Sequence, residues 1–170
     1  AIGCEGVSVN DLNELYKAML LNANHQDKQT TVNIANYIAV NKNFQLNKDF
    51  CQKVSDSYLA GIESLDFTSS KTTDRINGWC KEKTNGMILR IIDQVSADAV
   101  SYLMNAIYFK GTWQNKFNAK DTKLENFRGY TRDIQKVEMM HQVKKLFYAE
   151  NKDFKAVDLP YGNGSYRMLV

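Results

Sequence analysis

Two histidines, His25 and His141, and three cysteines, Cys4, Cys51 and Cys80, are the side chains of this 170-residue chain best suited to general-base, nucleophilic or metal chemistry. Their spacing supports none of it. No C-x-x-C pair exists, and two imidazoles with scattered cysteines make no metal-ligand set. The odd number of cysteines cannot close a disulfide framework, so they are read as buried thiols. His141 stands beside Met139 and Met140 with no nucleophile near it in sequence, which makes it a surface histidine. The chain lacks a G-x-S-x-G elbow, a G-x-x-x-x-G-K-[ST] phosphate loop and an H-E-x-x-H helix. Gly162 and Gly164 lack the third glycine of a dinucleotide fingerprint and are read as turn residues. The chain is therefore expected to be no enzyme and to hold no cofactor and no metal. Asn163-Gly-Ser165 fits a glycosylation acceptor, a pattern that carries meaning only in a secretory eukaryotic setting.

Asn105 is the most informative polar residue, because it interrupts the longest apolar run, Ala99 to Phe109. In a strand covered on both faces an unpartnered amide costs about 1–3 kcal/mol, so such a residue is kept when it is hydrogen-bonded. A polar residue at a partly wetted position accounts for it equally well.

These residues must be positioned by a soluble globular chain. The sequence is 44% hydrophobic and 24% charged, enough for a real core. The net charge of +3 is spread over interspersed basic and acidic residues, which argues against nucleic acid as a partner. No stretch approaches the ~20 apolar residues of a membrane span. No repeat or linker divides residues 1–170, which are expected to behave as one unit. The chain starts without methionine or a signal peptide and closes on Tyr166–Val170, which reads as a strand cut while still apolar. It is expected to be a piece of a longer protein.

Periodicity supplies the elements. Ser8 and Asp11 resemble a capping box ahead of a helix over 9–22, whose apolar stripe is Leu12, Leu15, Tyr16, Met19 and Leu20. Residues 32–40 alternate two apolar sets, as an interior strand does. Asn47 caps a helix with the stripe Phe50, Cys51, Val54 and Tyr58, ending near Gly61, and a short strand follows over 62–67. A polar surface helix over about 71–85 carries Ile76, Trp79 and Cys80 and stops at Gly86. Residues 99–109, apolar on both faces, predict a central strand of a large sheet. Shorter strands are expected at 125–127, 137–140, 145–149, 156–159 and 166–170. Helices among early strands, then mostly strands, predict an α+β fold.

The run Asn105-Ala-Ile-Tyr-Phe109-Lys-Gly111-Thr-Trp113, followed by Phe117, Thr122, Phe127, Val137, Met139-Met140 and Leu159-Pro160-Tyr161, resembles the serpins. Upstream, Ile76-Asn77-Gly-Trp79 with Thr84-Asn85-Gly86 is similar to the family's helix F region, and Val32-Asn-Ile-Ala-Asn36 to its strand 2A. The similarity runs in order from about residue 9 to the end. It implies helix D at 9–22, strand 2A at 32–40, helix E at 47–60, strand 1A, helix F near 71–85 and strand 3A at 98–109, then strands of sheets C and B. Serpins are suicide inhibitors: a protease cleaves an exposed loop, which inserts as a new strand into sheet A and carries the acyl-linked protease with it.

On this resemblance Asn105 matches the shutter asparagine of strand 3A, and Trp113 the tryptophan of the breach with Phe117 and Thr122 just below it. Helix F, with Ile76, Asn77 and Trp79, would cover sheet A. The first helices, strand 5A, the hinge and the reactive loop have no counterpart in the chain. A target protease of the serine or cysteine class and the missing C-terminal portion are the implied partners, and secretion is the implied location. A non-inhibitory serpin, serving as carrier, hormone precursor or chaperone, is the alternative. Asp11 and Glu14 against Lys17 argue against heparin as a partner. With strands 32–40 and 62–67 on one side of strand 3A, its other edge is expected to be bare.

Overall fold

The computed structural model describes residues 5–23 and 25–170. They divide into two compact units, one built from the described residues up to 26 with residues 31–110, the other from residues 27–30 and 111–170. Cys4 lies outside the described residues.

In the first unit α1 spans Val9–Asn22, and the Ser8 hydroxyl accepts from the Asp11 N–H at 3.1 Å, as a capping side chain should. β1 spans Thr30–Asn41. Asn47 caps α2, Lys48–Tyr58, through its Oδ1. The helix ends at Leu59 in the left-handed region, φ 50°, two residues earlier than expected. Gly61 instead opens β2, Gly61–Leu65, where it pairs with Tyr37 of β1 rather than capping the helix. β1 and β2 pair in parallel, from Tyr37 with Gly61 to Asn41 with Leu65, with α2 as the crossover.

α3 spans Ser70–Lys83. Its polar face lies outward, while Ile76, Trp79 and Cys80 enter a core shared with Tyr37, Ala39, Phe67, Val95 and Ala106. Gly86, φ +78°, donates its N–H to the Lys81 carbonyl and stops the helix, as expected. Thr84 is buried, its hydroxyl donating to the Cys80 carbonyl at 2.7 Å and accepting from the Ile88 N–H at 3.1 Å.

β3 spans Ser101–Gly111 and completes a three-stranded sheet of order β2-β1-β3. It starts two residues later than predicted because the Ala97 and Ala99 carbonyls accept from the Asn41 side chain, and the Val100 carbonyl from the Asn41 N–H. The position of β1 is interior, as expected. That of β3 is not central: among the described residues it is an edge strand, as β2 is, and Leu103, Asn105, Ile107 and Phe109 form an exposed face. Covering both faces of this apolar strand takes neighbours that these residues do not supply. Cys80 is a buried thiol as expected, whereas Cys51 is only half-buried, because α2 keeps its stripe partly open.

In the second unit, after a 3₁₀ turn at Ala119–Asp121, β4 (Lys123–Arg128) pairs antiparallel with β5 (Ile134–Met139). A second sheet runs β6 (Phe147–Glu150), β7 (Lys155–Tyr161), β8 (Tyr166–Leu169), also antiparallel. All five short strands predicted from the sequence are present, displaced by at most three residues.

Candidate functional site

The residues singled out in the sequence fall into three groups. The first holds α3 on the sheet. The Trp79 ring stacks on Tyr37 at 5.0 Å between centroids, 19° from parallel, and Ile76 is wholly buried beside them. The Tyr37 hydroxyl donates to Glu63 Oε2 at 2.6 Å on β2, and the Arg75 guanidinium meets the same carboxylate at 2.8 Å. Burial and the Glu63 acceptor push the Tyr37 phenol far above its ordinary range, while the Tyr37 donor and then Arg75 hold the Glu63 carboxyl below its own. Asn77 accepts from the Ile91 and Ile92 N–H groups at 2.9 and 3.1 Å and donates to the Ile92 carbonyl, fixing the segment after the helix. The helix is thus docked by one aromatic stack, one charged triad and one amide clamp.

The second group is lateral. Asn105 on β3 donates to Asn36 Oδ1 at 2.9 Å and to the Ala35 carbonyl at 3.3 Å on β1. Asn36 in turn donates to the Tyr58 carbonyl at 2.8 Å at the end of α2, and the Tyr58 hydroxyl donates to Asn13 Oδ1 of α1. The amide is hydrogen-bonded and exposed, so both readings of the sequence hold in part; burial on both faces does not, because one face of β3 is uncovered. Asn36 stands in the sequence only as the end of the Val32-Asn-Ile-Ala-Asn36 motif, with no sign of its partnership with Asn105.

The third group lies in the second unit. Trp113 stacks on Tyr161 at 4.2 Å, 13° from parallel, and meets the Phe117 ring edge-on at 6.4 Å. The Gln114 N–H bonds to the Pro160 carbonyl and the Gly162 N–H to the Thr112 carbonyl, so backbone pairing sets the stack. Thr122 closes the 3₁₀ turn, its N–H bonded to the Ala119 carbonyl. The structure brings Trp113 and Phe117 together and adds Tyr161, whereas Thr122 takes a turn-closing place.

His141 bonds to Glu125 at 3.0 Å on the surface, matching the sequence reading. Among the described residues no group of three His, Cys, Asp or Glu could hold a metal, and no helix is long and apolar enough to cross a membrane.

The family profile described as "Serpin (serine protease inhibitor)" matches residues 1–170. Serpin B11 of Mus musculus is 32% identical over 86% of the chain and 39% of its own length. Leukocyte elastase inhibitor of Bos taurus is 31% identical over 100% of the chain and 46% of its own length. The native state of the thermophilic serpin tengpin superposes with a TM-score of 0.85 at 32% identity, over 96% of this chain and 42% of that one. The chain spans roughly two-fifths of the proteins it matches, and its α+β architecture is a partial serpin fold. With the profile matched end to end and the same arrangement of helices and sheets in solved members, the chain belongs to the serpin family.

Proposed function

We propose that the intact protein containing this chain is a suicide inhibitor of serine or cysteine proteases that works by inserting a cleaved loop into the sheet β2-β1-β3 and its continuation. The observation that carries this is that β3, a long apolar strand, has β1 as its one strand neighbour among the described residues, which leaves its outer side as the place where a further strand would join the sheet. The missing C-terminal portion of the same protein is the natural neighbour of that edge, within a domain of which residues 1–170 are part. Asn105, linked to Asn36, acts as the shutter of the sheet. Trp113 and Phe117, with Thr122 below, form the breach where insertion begins. α3, held through Ile76, Asn77 and Trp79, yields transiently and closes again. The protease contacts lie outside the chain, and the protein works outside the cell. The acidic Asp11 and Glu14 against the single basic Lys17 on α1 support a protein that does not use heparin.

Mixing the intact protein with trypsin-like, chymotrypsin-like, elastase-like and papain-like proteases should yield an SDS-resistant complex. Asn105→Ala should leave that chemistry possible while promoting polymerisation on warming. Loop cleavage without a complex, and without a rise in melting temperature, would place the protein among carriers, hormone precursors or chaperones.

A further inference from the structure

The hairpin turn between β7 and β8 plays no part in the function proposed above, yet it is closely specified. It carries Asn163-Gly164-Ser165, the sole N-x-[ST] triplet in the 170 residues. Asn163 and Ser165 are both exposed, and Asn163 Oδ1 accepts from the Ser165 N–H at 2.9 Å, closing an Asx turn. The Gly164 N–H bonds to the Tyr161 carbonyl at 2.7 Å, and both flanking glycines sit at positive φ, +44° and +89°. The turn is anchored from the other side by Asp27, only 6% exposed, whose carboxylate accepts from the Thr30 hydroxyl and from the N–H groups of Gln29 and Asn163. The fit is so close that a Cβ on Gly162 would lie 1.8 Å from Asp27 Oδ2.

We infer that Asn163 is a modification site, the acceptor of an N-linked oligosaccharide. A transferase acting on this triplet needs the asparagine amide at the surface, a hydroxyl two residues on, and an unobstructed residue between them. The turn supplies all three, with glycine at the middle place and the backbone of Asn163 held by a carboxylate beneath it. Other asparagines have structural duties and no hydroxyl at that spacing: Asn41 is buried, Asn47 and Asn118 cap helices, and Asn77 clamps the segment after α3. Asn151 forms a comparable Asx turn but has Asp153 at the second place, which makes it an internal control. In the transfer, Asn163 Nδ2 bonds to the anomeric carbon of a lipid-pyrophosphate-linked oligosaccharide. The carbon–oxygen bond to pyrophosphate breaks with its electron pair, and the amide proton passes to a base of the transferase. Nothing is oxidised or reduced.

The inference rests on the secretory location proposed above, and the test separates the two. The intact protein is expressed in eukaryotic cells with an added leader peptide that directs it into the secretory route, whatever its own leader does. Treatment with an N-glycosidase should lower its apparent mass and convert Asn163 to aspartate in the peptide spanning the turn, while Asn151 stays unchanged. Asn163→Gln and Ser165→Ala should abolish the shift, and Ser165→Thr, which keeps the hydroxyl, should retain it. Glycan on the leader-directed protein, with the natural form retained inside the cell, would sink secretion and uphold the acceptor. A leader-directed wild-type protein that reaches the medium with an unmodified Asn163 peptide would overturn the inference.

Discussion

Two neighbouring strands, β1 and β3, have similarly apolar sequences and opposite fates. From Tyr37 to Asn41 every residue of β1 is buried, because β2 and β3 flank it and α3 lies across it. Among the described residues β3 is paired on one side only, and its residues alternate: Ala106 is 4% exposed toward α3, whereas Leu103 on the opposite face is 73% exposed. The difference teaches that an apolar strand is buried only where neighbours cover it. Among the described residues β1 has them on both sides and β3 on one.

The largest effect should come from the covered side. Ile76 is wholly buried between α3 and the sheet, so Ile76→Ala in the intact protein should cost about 2–5 kcal/mol from lost transfer energy plus a cavity. Leu103→Ala tests whether the rest of the protein covers β3. Burial of a leucine side chain is worth about 1.5–3 kcal/mol, so a loss of at least about 1.5 kcal/mol in urea midpoints is expected. A change within about 0.5 kcal/mol, the usual range for surface sites, would mean that the face stays open in the intact protein and that the two strands differ by design.

Two amides sharpen the same comparison at smaller scale. Asn41 is 2% exposed and donates to the Ala97 and Ala99 carbonyls at 3.0 Å each. Asn41→Ala strands both acceptors and should cost about 1–3 kcal/mol. Asn105, exposed in this chain, makes two similar bonds whose net worth at a surface is about 0.5–1.5 kcal/mol. Equilibrium denaturation of both variants should rank Asn41 above Asn105. The reverse order in the intact protein would show that its remainder buries the Asn105 amide.

The legibility of the molecule in its sequence follows the same line. Elements set by local chemistry were readable: the Ser8 and Asn47 caps, the Gly86 stop and the period of β1 depend on residues a few places apart. The end of α2 was misplaced because Leu59 takes the left-handed capping place, while Gly61 pairs with Tyr37 of β1, twenty-four residues away. The start of β3 shifted for a similar reason, through the distant Asn41 side chain. At the candidate site, Trp113 with Phe117 was singled out through motif resemblance, and Trp79 with Ile76 through the apolar stripe of its helix as well. The group around Trp79, Tyr37 with Glu63 and Arg75, was not, since a triad assembled from β1, β2 and α3 leaves no spacing pattern.

The smallest expected effect concerns an ion pair at the open end of β1. Lys42 Nζ lies 2.7 Å from Asp66 Oδ2, and the Thr68 hydroxyl and N–H also donate to that carboxylate. These donors, Lys42 first, hold the Asp66 carboxyl at about 2, below the ordinary aspartate value of 3.8. A depressed folded value means that the unfolded chain takes up the proton first. The contribution to stability is therefore complete above pH 4 and fades as pH falls toward 2. Both side chains are well exposed, so water and salt screen the pair and the effect should be slight. Melting temperatures of the wild type and Asp66→Asn, compared from pH 6 to pH 2 at low salt, should differ most at the upper end and converge at the lower. A gap that is independent of pH would show that Asp66 acts through its neutral hydrogen bonds to Thr68. The open end of β1 would then be held by turn geometry, as its covered middle is held by packing, and the charge would add nothing to either.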